Sequence, residues 1–319
     1  ISGLYLANEL NKNTEIDYKI FEKKDYLNLN EGYGIQLSVN SINLLNKIGF
    51  KNISASDVYY PTKVNFFQAN NIKKICEIDL KQFNNVNDRY TTLKRSTLIK
   101  FLIGNIPEEK IQFKADIQNI EYNEKIKISW NNKNESFDYI VIADGVFSKL
   151  KSQISNNHLN PIFNGNIALR ANLKQHEKDN ISVYMGSNFH YVTYPVNQKL
   201  EYNFVAIIKK KLTTKEIEDK NILNSETFIK SLKDFISKNS IINLESLANI
   251  KCFPVFVSTE LPTLKYQNTF LSGDALFAFP PSFAQGASQS IETANGILEN
   301  IINCLLYTSD AADEVGGGC

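Results

Sequence analysis

The run Phe137-Asp138-Tyr139-Ile140-Val141-Ile142-Ala143 is almost continuously apolar and stops on Asp144-Gly145. A strand that is apolar on both faces is buried on both, the environment of a parallel strand covered by helices. A second run, Thr269-Phe270-Leu271, leads into Ser272-Gly273-Asp274 in the same manner. Each strand delivers an acid and a glycine at its C-terminal end, where open α/β sheets bind their ligands. The opening of the chain fits such a framework. Leu4, Ala7 and Leu10 share one face of an amphipathic helix, and Ile16–Glu22 alternates as a strand that ends on an acid. Helix, strand and acid form the second half of a βαβ unit, whose first strand and turn are expected upstream of Ile1.

The 319 residues suggest two domains or one large one at about 150 residues each. With 35 basic and 34 acidic residues the net charge is +1, which excludes a global field for nucleic acid. The longest uncharged stretch, Ala275–Ile291, holds Pro280, Pro281 and Gln285, so membrane association is not indicated. Cys76, Cys252, Cys304 and Cys319 show no metal spacing, and the expectation is reduced thiols, no metal site and a cytoplasmic setting. Between the two ends, the pattern predicts a helix from Val39 to a Gly49 stop and strands at Val64–Gln68 and Ile75–Leu80. A helix starts at Arg95, and a hairpin spans Ala115–Trp130. Extended aromatic segments from Ile167 to Lys209 predict an antiparallel sheet, followed by helices at Thr214–Lys220 and Ser225–Lys238. A helix beginning near Gly286 is expected to end at Asn303. The string from Cys304 resembles a translated sequencing adapter, so 304–319 reads as a non-native tail.

Four elements carry chemistry. Glu22 follows Gly3 by 19 residues, the spacing between the last glycine of a dinucleotide fingerprint and its ribose-binding acid. Taken alone, they are also a helix glycine and a solvated glutamate. Gly273-Asp274 precedes the turn Pro280-Pro281-Ser282-Phe283-Ala284-Gln285, which ends on Gly286 at a helix start. Free N–H groups and the positive dipole end there suit an electron-rich carbonyl. Asp144-Gly145 lies at a strand end, and Arg95 at a helix start offers a guanidinium fork to a phosphate or ribose. The pocket side falls to the middle of the chain, with Arg170, His190, Tyr191 and Tyr194 as its polar groups. Among 15 tyrosines and 20 phenylalanines, an aromatic on a strand is more often packing than catalysis.

In order and spacing these stretches, with Gly32-Tyr33-Gly34-Ile35-Gln36-Leu37-Ser38 and Arg95 with Leu98, resemble the FAD-dependent aromatic monooxygenases of the para-hydroxybenzoate hydroxylase fold. The nearest branch is the salicylate-hydroxylase-like one. The resemblance covers residues 1–303, with the chain truncated at both ends. It implies an α/β chain with a Rossmann-like FAD-binding domain (1–70, 92–160 and 258–303) and an inserted, mostly antiparallel β substrate domain (71–91 and 161–257).

By that resemblance Gly3, Glu22, Arg95, Asp144, Gly145, Gly273, Asp274, Pro281 and Gly286 bind FAD. Arg170 lies near the flavin, with Tyr194 and His190 as further catalytic candidates. The implied reaction uses NADH or NADPH and O2, passes through a flavin C4a-hydroperoxide and hydroxylates an aromatic or quinone-precursor compound. The family pattern places His where this chain has Phe277. Two alternatives stay open: an FAD-dependent reductase on the same fold, and a non-catalytic FAD-binding module. Without the upstream glycines, the chain as written is expected to bind FAD poorly or to aggregate.

Overall fold

A computed structural model describes residues 1–12, 16–27, 29, 32–157, 159–173, 179–199 and 201–315. The chain opens with α1 (Ser2–Lys12), β1 (Ile20–Glu22), β2 (Gly34–Leu37) and α2 (Val39–Lys47). Ser38 caps α2 by accepting the N–H of Ser41. Just beyond the helix, Gly49 takes a left-handed φ of 96°, a conformation that favours glycine. Next come β3 (Val58–Tyr59), the hairpin strands β4 (Lys63–Gln68) and β5 (Lys74–Asp79), β6 (Thr91–Lys94) and α3 (Arg95–Gly104). They are followed by β7 (Ile111–Phe113), β8 (Asn119–Tyr122), β9 (Ile126–Trp130), β10 (Lys133–Phe137), β11 (Ile140–Ile142) and α4 (Lys151–Ile154).

The large strands β12 (Ile162–Leu173), β13 (Ile181–Met185), β14 (Phe189–Pro195) and β15 (Tyr202–Lys209) come next. Helices α5 (Thr214–Glu218), α6 (Lys220–Leu223) and α7 (Glu226–Asn239) lead to β16 (Leu247–Val257), β17 (Thr269–Leu271) and α8 (Gly286–Val315).

Two parallel pairs, β1 with β7 and β11 with β17, belong to one half of the fold. Tyr5 and Leu6 of α1 pack with Leu45 of α2 and Leu98 and Leu102 of α3, and with Ile291, Ala294 and Leu298 of α8. The α8 residues recur at helical spacing and line one stripe, which buries that helix against the other three. Strands β2, β6 and β3 make a small antiparallel sheet beside them.

The second half is a seven-stranded sheet in the order β16-β12-β15-β14-β13-β4-β5, antiparallel except for the β13–β4 pair. One face carries Ile167, Leu169, Tyr191 and Phe204, covered by Phe228, Leu232 and Ile236 of α7. Because side chains alternate along a strand, Arg170, Tyr194 and His190 share the opposite face.

Several sequence expectations need correction. The boundary at residue 70 cuts the β4–β5 hairpin, whereas both strands belong to the large sheet because β4 pairs with β13. The apolar run 137–143 is two strands: Phe137 ends β10, paired back to β9, and β11 starts at Ile140 beside β17. Only Ile20–Glu22 of the expected Ile16–Glu22 strand pairs, since its partner β7 has three residues. The helix expected over Thr214–Lys220 divides into α5 and α6, and α8 runs past Asn303 to Val315. Among the described residues no helix is long and apolar enough to cross a membrane.

Candidate functional site

The C-terminal ends of β1, β11 and β17 bring Glu22, Asp144 and Gly273-Asp274 to the start of α1. Ile1 is half-buried there. The pKa of its amino group is lowered to about 6, by burial first and then by Arg95, while Asp274 and Glu22 act in the opposite direction. Glu22, Arg95 and Asp274 therefore lie within electrostatic reach of one point, the start of α1. Ser2 holds that point together: its hydroxyl hydrogen-bonds the Ser272 hydroxyl and donates to the Ser290 carbonyl at 3.0 Å, linking α1 to β17 and α8. Gly3 lies against Ala143, where an added Cβ would make ordinary contact at 3.5 Å. A side chain as small as alanine thus fits at Gly3.

Gly273 is the more demanding glycine. Its φ is +60°, and a Cβ would come within 3.0 Å of Ser290 Oγ and 3.3 Å of Ser2 Cβ. Gly145, at φ +89°, opens into free space. Asp274 is exposed as a whole residue, yet the groups crowding its carboxylate raise its pKa, with the Ile1 amine and Arg95 pulling it down. Asp144 is raised by the same desolvation, opposed by a hydrogen bond from Ser148 and by Lys23 and Lys151. Glu22 accepts the N–H of Lys24 at 3.0 Å and is half-buried, so its carboxylate keeps acceptor capacity.

Beyond Asp274 lies a cavity of about 310 Å³, lined by Gly273, Asp274, Phe277, Phe279, Gly286 and Ser290 among others. Pro281 starts a short 3-10 turn, and Ala284 adopts a left-handed φ of 54° to bring the chain to Gly286. An added Cβ at Gly286 would meet nothing within 4 Å, so the α8 N-terminus opens onto space. These features fit a flavin nucleotide. The backbone at Gly273 holds a φ that disfavours a side chain, acids stand where hydroxyls could donate, and an apolar cavity ends at a helix N-terminus. Among the described residues no group of three His, Cys, Asp or Glu could hold a metal.

On the large sheet, Arg170, Val205 and Val192 lie in one cross-strand row. Asn172, Asn203 and Tyr194 form the next row, and Ala168, Ile207 and His190 the row on the other side. Burial pushes the Tyr194 phenol up to about 12, against the pull of Arg170 and of a hydrogen bond with Gln36. Tyr90 donates to the same Gln36 at 2.7 Å. Tyr194 is 3% exposed, and its hydroxyl has Gln36 as a partner. The half-buried His190 has its pKa lowered by burial. It lies four residues from Tyr194 on the same strand, about 13 Å away at strand rise.

The sequence reading assigned no role to Gly34, yet Gly34 docks the two halves. A Cβ there would come within 2.6 Å of Asn203 Cβ, 2.7 Å of Val196 and 2.8 Å of Tyr194. Its N–H donates to Asn203 Oδ1 at 2.7 Å. The Thr92 hydroxyl donates to the Pro195 carbonyl at 2.6 Å beside it.

No family model matches the sequence, and no curated protein matches it. Solved structures do match in fold. Klebsiella pneumoniae HpxO, crystallised with FAD and uric acid, superposes with a TM-score of 0.76 at 15% identity over 92% of this chain and 75% of its own. The 2,6-dihydroxypyridine-3-hydroxylase of Arthrobacter nicotinovorans gives 0.73 at 14% identity over 93% and 80%. A salicylate hydroxylase in complex with its substrate gives 0.71 at 17% identity over 92% and 75%. The chain therefore has the mixed α/β fold of these hydroxylases, with parallel and antiparallel sheets.

Proposed function

We propose that the protein is a flavoprotein monooxygenase that binds FAD and hydroxylates a small aromatic or quinone-precursor compound, with NADH or NADPH as reductant and O2 as oxygen source. The observation that carries this reading is the convergence of Glu22, Arg95, Gly273 and Asp274 at the start of α1, beside a cavity that ends at the α8 N-terminus. Glu22 would accept hydrogen bonds from the adenosine ribose, Arg95 would meet the pyrophosphate, and Asp274 would accept from the ribityl hydroxyls. Asp144 and Gly145 would line the same groove from β11, with Gly3 at the turn. Pro281 and Gly286 would frame the ring system, where the helix dipole favours negative charge.

Bound FAD would supply hydride acceptance from a nicotinamide and activation of O2, chemistry that belongs to the cofactor. The chain's own contribution is orientation and the exclusion of water. Arg170 lies on the face of the large sheet opposite α7, and Phe277 and Phe279 supply apolar wall. Fold likeness to the FAD and substrate complexes above supports this reading. The test is the visible spectrum of the full-length protein purified with added FAD, followed by NAD(P)H oxidation in the presence of phenols. Near-stoichiometric flavin bands and substrate-stimulated oxidation are expected. Bound flavin with no stimulation by any ring compound would instead favour the non-catalytic module, and a folded protein that ignores FAD would overturn both.

A further inference from the structure

An apolar surface lies at the mouth of the cavity beyond Asp274. Phe147 is 61% exposed, Leu261 63%, Ile162 49% and Phe279 44%. Separate contacts bring these four segments together. The Phe147 ring packs edge-on against Phe256 with centroids 4.9 Å apart, and Phe256 pairs across the strands with Phe163, next to Ile162. The Ser258 N–H donates to the Ala278 carbonyl at 3.0 Å, and the Ser258 hydroxyl accepts the Ala278 N–H at 3.0 Å. That pair ties the end of β16 to the turn that carries Phe279. Leu261 and Phe279 line the same cavity. Single apolar residues are ordinary on a surface, but a contiguous group of large ones marks an interaction site.

Lysine dominates the charge of the segments that carry this surface or pair with them. Lys149, Lys209, Lys211, Lys251 and Lys265 are exposed there, against Glu260 and the two acids of the candidate site, Asp144 and Asp274. Among the described residues none of these five lysines forms an ion pair with a carboxylate. The balanced net charge of +1 conceals this local excess. Exposed aromatic and aliphatic side chains flanked by unpaired lysines are complementary to an anionic lipid surface. The apolar groups enter the boundary between headgroups and acyl chains, and the ammonium groups meet the phosphates. A second copy docked here about a two-fold axis would instead set the same lysines against one another. We propose that this surface attaches the protein to anionic membranes, with Phe147, Leu261, Ile162 and Phe279 in the interfacial layer and the cavity mouth turned toward the lipid. The attachment is interfacial and needs no spanning helix. It does not depend on the monooxygenase reading.

The experiment is co-sedimentation of the full-length, FAD-supplemented protein with vesicles of phosphatidylcholine alone or of phosphatidylcholine mixed with phosphatidylglycerol. Binding is expected to the mixed vesicles, to weaken as salt is raised, and to be much poorer with phosphatidylcholine alone. Phe147→Ser combined with Leu261→Ser is expected to weaken it about tenfold. Lys149→Gln combined with Lys211→Gln is expected to weaken it about 30-fold. Val86→Ser, at an 88% exposed position on the loop before β6, is expected to leave binding unchanged. Thermal melts of each variant show that the fold is retained. Wild-type protein that stays in solution with the mixed vesicles overturns the proposal. Binding that the lysine changes weaken but the Phe147 and Leu261 changes do not is adsorption to any polyanion, and it overturns the proposal too. So does wild-type protein that self-associates in light scattering, loses that association with Phe147→Ser and Leu261→Ser, and ignores vesicles. Each of these results leaves the monooxygenase reading to its own test, the flavin spectrum and NAD(P)H oxidation.

Discussion

Glu22 shows how much one side chain can be asked to do. If it grips the adenosine ribose, Glu22→Ala removes charge-assisted hydrogen bonds worth roughly 1.5–3 kcal/mol. FAD should then bind about 10- to 150-fold more weakly in a flavin-fluorescence titration; an unchanged dissociation constant would refute the assignment. Gly273→Ala places a side chain at φ +60° against Ser290 and Ser2. Holding a non-glycine residue there costs on the order of 1–3 kcal/mol, to be read as a lower urea midpoint. Asp88 offers a pH test. It is 5% exposed, and desolvation raises its pKa, but hydrogen bonds from the Asn85, Asn43 and Asn46 amides outweigh that and hold it below the usual range. A carboxylate with a depressed folded pKa stabilises above its unfolded value, near 3.9, and that contribution disappears as pH falls through the folded pKa. Asp88→Asn should therefore be less stable than wild type at pH 7, with the gap closing below about pH 4 in pH-dependent thermal melts.

At the scale of elements, β2 carries more than its four residues suggest. It ties the small sheet to the large one through the Gly34 N–H and the close approach to Asn203, Val196 and Tyr194. Gly34→Ala overpacks that contact and should cost about 1–3 kcal/mol in chemical denaturation; a variant as stable as wild type would show that the approach can relax. The Gly-Tyr-Gly stretch was visible in the sequence, but this role was not, because the atoms that crowd Gly34 come from strands more than 150 residues away. Short strands misread for a related reason. The run 137–143 looks continuous because periodicity cannot show where a chain changes partner, from β9 to β17. Amphipathic helices such as α2 and α7 were legible from local pattern, since each buries one stripe along its length.

For the whole molecule, the two halves meet where β2 and β6 pack against β15 and β14. Binding FAD to the native state alone should raise the melting temperature in a concentration-dependent way, by about 2.7 kcal/mol of added stability at 100 times the dissociation constant. A melting temperature unmoved by FAD would count against the cofactor site. By itself the sequence determined the α/β class and the order of its acids and glycines. Those features follow from local periodicity and from residue types whose chemistry is intrinsic. Only the tertiary structure decided that the charges of Glu22, Arg95 and Asp274 act on the start of α1, that Tyr194 is buried, and that Arg170 lies opposite Lys251. Each of these depends on strand register and on packing between segments far apart in the chain, and no local pattern encodes a distance across the fold.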